Sequence, residues 1–314
     1  MKGMKPLYLL FFAAIAWVGC DKSIEGPVTP AIPDAVVQAI SGKFPQLAEF
    51  AVTNLQTDGL YAADFHEQNN HYKAIISENG TLLSLEKELP QAAIPMNGQQ
   101  YVTHQYPNSS MAYLFAQLDP SSNAVIGYFT KMIGSGKNYL ITLDTLGARI
   151  SVEEESDTVG WRYPVHRLED IPQGIRTAIN AAQPLSQFLA ATQWIDVSQQ
   201  VRWKVTVVHD SILLHLEFDV TGMLVQNKLE DLLGLDVPGV NFNDLYVKDA
   251  VPEECRNYLD AHFQGWEFQR GILRYETVNG NNLPIDFVIK INLGPLVFYT
   301  HFDINGNFTG ATRG

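Results

Sequence analysis

The stretch IPDAVVQAISGKFP, Ile32 to Pro45, decides how this chain is read. One proline opens it and another closes it twelve residues later. Proline suits the first turn of a helix, where an N–H has no partner to lose, and it disfavours helical geometry in the residue before it. Between the two, Val36, Ile40 and Phe44 recur at every fourth position and so share one helix face. Asp34 follows the first proline, at the positive end of the helix dipole. The segment predicts a short amphipathic helix with a built-in start and stop.

The same arrangement returns at Ile94-Pro95, Ile171-Pro172 and Val251-Pro252. Twelve residues on from each proline stand Pro107, Pro184 and Gln264. The face positions become Gly98, Val102 and Tyr106, then Ile175, Ile179 and Gln183, then Cys255, Leu259 and Phe263. Gly98 makes the second helix the weakest by propensity. Each stretch leads to a hairpin whose turn carries Gly80, Gly147, Gly222 or Gly306, three residues after Ser77, Asp144, Asp219 or Asp303. Asp or Ser first and Gly fourth is the chemistry of a type I turn. Around these turns the apolar residues alternate. Leu214, Leu216 and Phe218 point one way, and His215, Glu217 and Asp219 the other. Other strand-like runs, such as Ala48 to Leu55 and Val201 to Val208, lie between helix and hairpin.

These observations predict an α+β protein of four tandem units, each one helix packed on a three- to four-stranded antiparallel sheet. The units would span residues 32–93, 94–160, 161–235 and 236–314, the second and fourth being divergent. The order of Ile-Pro helix, aromatic-Pro stop, strands closing in Tyr-x-x-x-Ile/Leu and a glycine turn resembles the PepSY-like, or beta-lactamase-inhibitor-like, envelope domains. IPDAVVQAISGKFP and HYKAIISENGTLLSLEKEL (His71 to Leu89) carry the likeness best. The resemblance implies a non-enzymatic envelope protein acting as a protein-binding or inhibitor-like module. Its motifs are structural, so it transfers no contact residue.

The N-terminus points to the same compartment. Lys2 and Lys5 precede an apolar run from Pro6 to Val18, and then Gly19 and Cys20. Such a run is too short to span a bilayer but suits the core of a signal peptide. A small residue before a cysteine is what a lipoprotein signal peptidase requires. Residues 1–19 are therefore expected to be a lipoprotein signal, and Cys20 the acylated first residue. Residues 20–31, with Gly26, Pro27 and Pro30, would form a tether. Acyl chains on Cys20 would make the membrane one partner and place the chain in the cell envelope, on the outer membrane or the periplasmic face.

The formal net charge is −13, and it becomes more negative once Lys2 and Lys5 leave. A chain so acidic repels phosphate backbones, which argues against nucleic acid as a partner. With Cys20 acylated, Cys255 is the one cysteine left, so no internal disulfide can form. Cys255 falls on the buried helix face, beside Glu253 and Glu254, and reads as core.

Motifs that could carry chemistry fail on spacing. His66 and His71 are five apart, where zinc histidines on one helix face are four apart, and the segment reads as a hairpin loop. Gly134-Ser135-Gly136-Lys137 lacks the earlier glycine and the following hydroxyl of a phosphate loop. Asp303-Ile304-Asn305-Gly306-Asn307 lacks the distal glutamate of a calcium loop. No Gly-x-Ser-x-Gly elbow occurs. The sequence thus assigns no catalytic residue, no metal ligand and no cofactor. Trp203 alternates with valines and reads as core, whereas Trp161 and Tyr163, in a joint between units, are the candidates for contact with a protein partner. A protein-binding lipoprotein is the first reading. A structural or accessory lipoprotein of an envelope assembly is the alternative, and an envelope hydrolase a distant third.

Overall fold

The computed structural model describes residues 32–55, 59–134, 136–155, 159–196 and 200–314, with the backbone alone described at 159–161 and 196. Among these residues, four ten-residue helices, α1 (Asp34–Lys43), α2 (Met96–Gln105), α3 (Gln173–Ala182) and α4 (Glu253–His262), each begin directly after a proline. Their buried faces hold Val36 and Ile40, Val102, Ile175 and Ile179, and Cys255 and Leu259. A short 3-10 turn leads into each of the last three helices.

Strands β1 (Leu47–Asn54), β2 (Leu60–Glu67), β3 (Asn70–Ser77) and β4 (Leu82–Leu89) follow α1. Strands β5 (Ser110–Leu118), β6 (Val125–Gly134), β7 (Lys137–Leu143) and β8 (Arg149–Glu154) follow α2. Strand β9 (Val159–Val165) precedes α3, which leads to β10 (Gln187–Asp196), β11 (Val201–His209), β12 (Ile212–Asp219) and β13 (Leu224–Asp231). Strand β14 (Val240–Leu245) precedes α4, and β15 (Glu267–Val278), β16 (Asn281–Leu293), β17 (Leu296–Asp303) and β18 (Phe308–Arg313) complete the chain.

The expectation of four helix-on-sheet units does not hold. The described residues are mostly β, and their strands form one thirteen-stranded sheet, ordered β1 to β8 and then β18, β17, β16, β15, β14, and one five-stranded sheet, ordered β13 to β9. Leu89 of β4 pairs with Leu114 of β5, so the strands that follow α1 and those that follow α2 share one sheet. On the far side Arg149 of β8 meets Thr312 of β18 in a parallel bridge. The physical reason lies in the backbone. A separate four-stranded unit leaves two rows of unpaired N–H and C=O groups, and edge-to-edge pairing satisfies them.

Helices α1, α2 and α4 cover one face of the large sheet. Leu114 packs under α2 while Ala116 and Leu118, two and four residues along the same strand face, pack with α1. The α4 core joins Cys255, Leu259 and Phe263 to Phe298, Phe302 and Phe308. The other face meets the small sheet. There Ile150, Ile272, Val288 and Tyr299 pack against Leu189, Val208, Leu213, Leu232 and Leu233. Helix α3 fills the remaining space, its Ile175 and Ile179 lying among Trp203, Val205, Val207, Leu214 and Leu216 and reaching Leu60 and Ile75 of the large sheet.

The glycine turns are tied to the helices. Gly147 has φ +84°, and its N–H donates to the Asp144 carbonyl at 3.0 Å. A Cβ on Gly147 would lie 2.6 Å from the amide nitrogen of Gly98, in the first turn of α2. A Cβ on Gly98 would itself lie 2.8 Å from Leu143. The residue that weakens α2 in propensity is the one that lets the hairpin seat against it.

Candidate functional site

Strand β12 keeps the alternation seen in the sequence. Leu214, Leu216 and Phe218 are buried beneath α3, and His215 and Glu217 point to the opposite face. That face looks onto β7 and β8 of the large sheet across a cleft of about 780 Å³. One wall carries Arg149, Ser151, Glu153 and Glu154, the other Lys204, Thr206, His215, Glu217, Lys228 and Glu230, and Arg162 and His166 close the end at β9.

The carboxylates of the cleft are all engaged. Arg149 forks onto Glu230, with Nη1 donating to Oε2 at 2.9 Å and Nη2 donating to Oε1. Nη2 of Arg149 also donates to Thr312 Oγ1 at 3.0 Å. His215 stands between Thr206, 3.2 Å from Nδ1, and Glu230, 3.5 Å from Nε2. Burial alone would raise the Glu230 pKa, but the hydrogen bonds and charges of His215 and Arg149 outweigh it and hold the carboxyl at about 2. Lys204 donates to Glu153 at 3.0 Å and Lys137 to Glu154 at 2.8 Å, while Arg202 lies 3.9 Å from Glu217.

Two cations are left over. Among the described residues, Arg162 and Lys228 have no carboxylate within ion-pair distance. Arg162 instead lays its guanidinium over the Phe129 ring, 3.4 Å from the centroid. Beside it, burial raises the Glu86 pKa against the pull of Arg162 and Lys73, which favours the uncharged acid, and Glu86 Oε1 meets no donor. Lys228 is exposed on β13 and sits opposite His215. Arg162 is on β9 and Lys228 on β13, the two edge strands of the small sheet. Four strand spacings separate them, roughly 19 Å. Near Arg162, burial lowers the His166 pKa to about 4, so this imidazole is neutral at pH 7.

The residues singled out in the sequence fall elsewhere. Cys20 lies outside the described residues, and so does the side chain of Trp161. Tyr163 is 5% exposed in the core under α3, so it cannot meet a partner from where it stands. It alternates along β9 with the cleft-facing Arg162 and Pro164. Cys255 is fully buried, and burial together with Glu254 pushes its thiol up to about 12, far from a nucleophile. His66 and His71 face each other across β2 and β3 with rings stacked at 4.9 Å, and the hairpin turns at Gln68 and Asn69. His71 bridges Asp64 at 2.9 Å and Glu88 at 2.5 Å. Burial opposes its protonation, but the two carboxylates prevail and raise its pKa.

Sequence reasoning saw the polar stripe of β12 and did not assign it an opposing wall. It had no signal for Arg149, Arg162 or Lys228, because the wall that faces them comes from a distant part of the chain.

No family model matches the chain, and no curated protein does. Among solved structures it is similar to a BLIP-like protein from Bacteroides fragilis, at 16% identity and a TM-score of 0.34, over 41% of this chain and 92% of that one. It is also similar to a DUF2874 family protein from Bacteroides ovatus, at 17% identity and a TM-score of 0.35, over 40% of this chain and 90% of that one.

Proposed function

We propose that this chain is a non-enzymatic binding protein of the cell envelope, held at the membrane by an acylated Cys20, and that it grips a protein partner through the cleft between its two sheets. The observation that supports this reading is the unequal pairing of charge. In a chain of net charge −13, the cleft engages all its own carboxylates and leaves Arg162 and Lys228 to attract an anionic occupant. The chemistry of the lining agrees. Its four glutamates are each held by a cation and His215 stands between Thr206 and Glu230, so among the described residues these groups orient one another rather than activate a serine or cysteine as a general base would.

The test is a photocrosslinking residue at Gln226, on the cleft wall, in the full chain in its native envelope. A discrete protein adduct is expected, and it should weaken on Arg162→Gln or Lys228→Gln. Adducts of equal yield from the exposed Tyr246, outside the cleft lining, or adducts indifferent to both substitutions would overturn the reading. Cys20→Ala should release the chain from the membrane fraction. Retention there would refute the anchor.

A further inference from the structure

The cleft ends at an open strand edge. Among the described residues, strand β13 pairs with β12 on one side and with no strand on the other, so half of its backbone N–H and C=O groups face outward. The opposite edge of the small sheet, β9, runs close to β4 of the large sheet. From Leu224 to Leu229 every residue of β13 is exposed. Leu224, Val225 and Leu229 are 39%, 47% and 60% exposed, and Val220 and Met223 just before them 63% and 64%. An uncovered edge carrying this much apolar surface is a template for another strand.

The two faces of the edge differ in chemistry. Leu229 pairs with Leu214 and Leu224 with Phe218, so these two lie on the side of the sheet that α3 covers further in. Lys228 pairs with His215 and Gln226 with Glu217, so these lie on the cleft side. Glu230, also on the cleft side, is already held by Arg149 and His215. A strand laid along β13 would meet apolar side chains on one face and an unpaired ammonium on the other.

We infer that the occupant of this edge is an extended segment of a partner protein, with apolar residues alternating with acidic ones, added to β13 as a sixth antiparallel strand with its acidic face toward Lys228. The inference rests on the cleft reading and gives it a binding mode. A second copy of this chain fits less well. Pairing β13 with itself about Asn227 sets Lys228 opposite Gln226, and pairing about Lys228 sets the two lysines against each other. The register that would satisfy Lys228 brings up the second copy's Glu230, which would have to leave Arg149.

The probes are three synthetic ten-residue peptides, added to the full chain in detergent micelles. One alternates valine and glutamate, one alternates valine and lysine, and the third is the valine–glutamate peptide with every second amide N-methylated. Amide hydrogen exchange across the chain is the readout. The valine–glutamate peptide should slow exchange in β13 by roughly tenfold. The lysine and N-methylated peptides should not, and Lys228→Glu should transfer the protection to the lysine peptide. Protection by the N-methylated peptide, protection at β14 instead, or slowed exchange in β13 from self-association without peptide would each overturn the inference. So would a lack of any protection. If the crosslink at residue 226 persists in those cases, the mode fails and the cleft reading survives. If that crosslink is lost as well, both fail.

Discussion

Arg149 of the large sheet and Glu230 of the small sheet form a forked ion pair that joins the two sheets at the base of the cleft. Thr312, from β18 beside β8 in the large sheet, accepts from the same guanidinium. One arginine therefore bonds to two stretches of chain that are remote from it in sequence.

Breaking that pair should cost more than removing it. Glu230→Gln leaves a largely buried guanidinium without its counter-charge and should destabilise the chain by about 2–3 kcal/mol, less than a fully buried pair because Glu230 is partly exposed. The double variant Arg149→Met with Glu230→Leu should recover most of the loss. Urea denaturation of the three proteins checks this, and a double variant no better than the single one would contradict it.

The same carboxyl sets an acid dependence. Its folded pKa is about 2 against an ordinary 4.5. A depressed carboxyl contributes its stability in full above the unfolded value and loses it as pH falls through the folded one. The stability gap between the native chain and Glu230→Gln should be constant above pH 4.5 and close between about 4.5 and 2. A gap that persists to the bottom of that window would place the charge elsewhere.

His301 acts at higher pH. Burial lowers its pKa to about 4 from 6.5. Below 6.5 the unfolded chain takes up a proton that the folded chain refuses, so stability falls as pH drops toward 4. His301→Gln should flatten this part of the profile, measured as the denaturation midpoint against pH.

Gly147→Ala should be costly. The substitution forces alanine to φ +84° and pushes its Cβ to 2.6 Å from the Gly98 nitrogen. Strain at the left-handed position and displacement of the hairpin from α2 together predict a loss of about 2–4 kcal/mol. Thermal unfolding provides the measurement. By contrast, alanine at Gly136, also at positive φ but with no atom within 4 Å of a built Cβ, should cost about 1 kcal/mol.

Cys255 should be silent in the folded state. Its thiol is fully buried and its pKa is pushed up to about 12, so alkylation at neutral pH should proceed only through unfolding. The labelling rate should rise with denaturant in step with loss of structure. Rapid labelling of the native chain would show that α4 opens locally.

What could be read from the sequence was local. Pro33, Pro95, Pro172 and Pro252 set the helix starts through their own rings, and Asp144 and Gly147 made their turn through a side chain and a φ angle. The alternation of Leu214, Leu216 and Phe218 with His215 and Glu217 sorted β12 into two faces for the same reason. The pairing of β4 with β5 and of β8 with β18 could not be read, because backbone hydrogen bonds carry no residue identity. Nor could the sequence say that the polar side of β12 faces Arg149 rather than water. A charged side chain satisfies either setting, and the choice between them is made where two distant sheets meet.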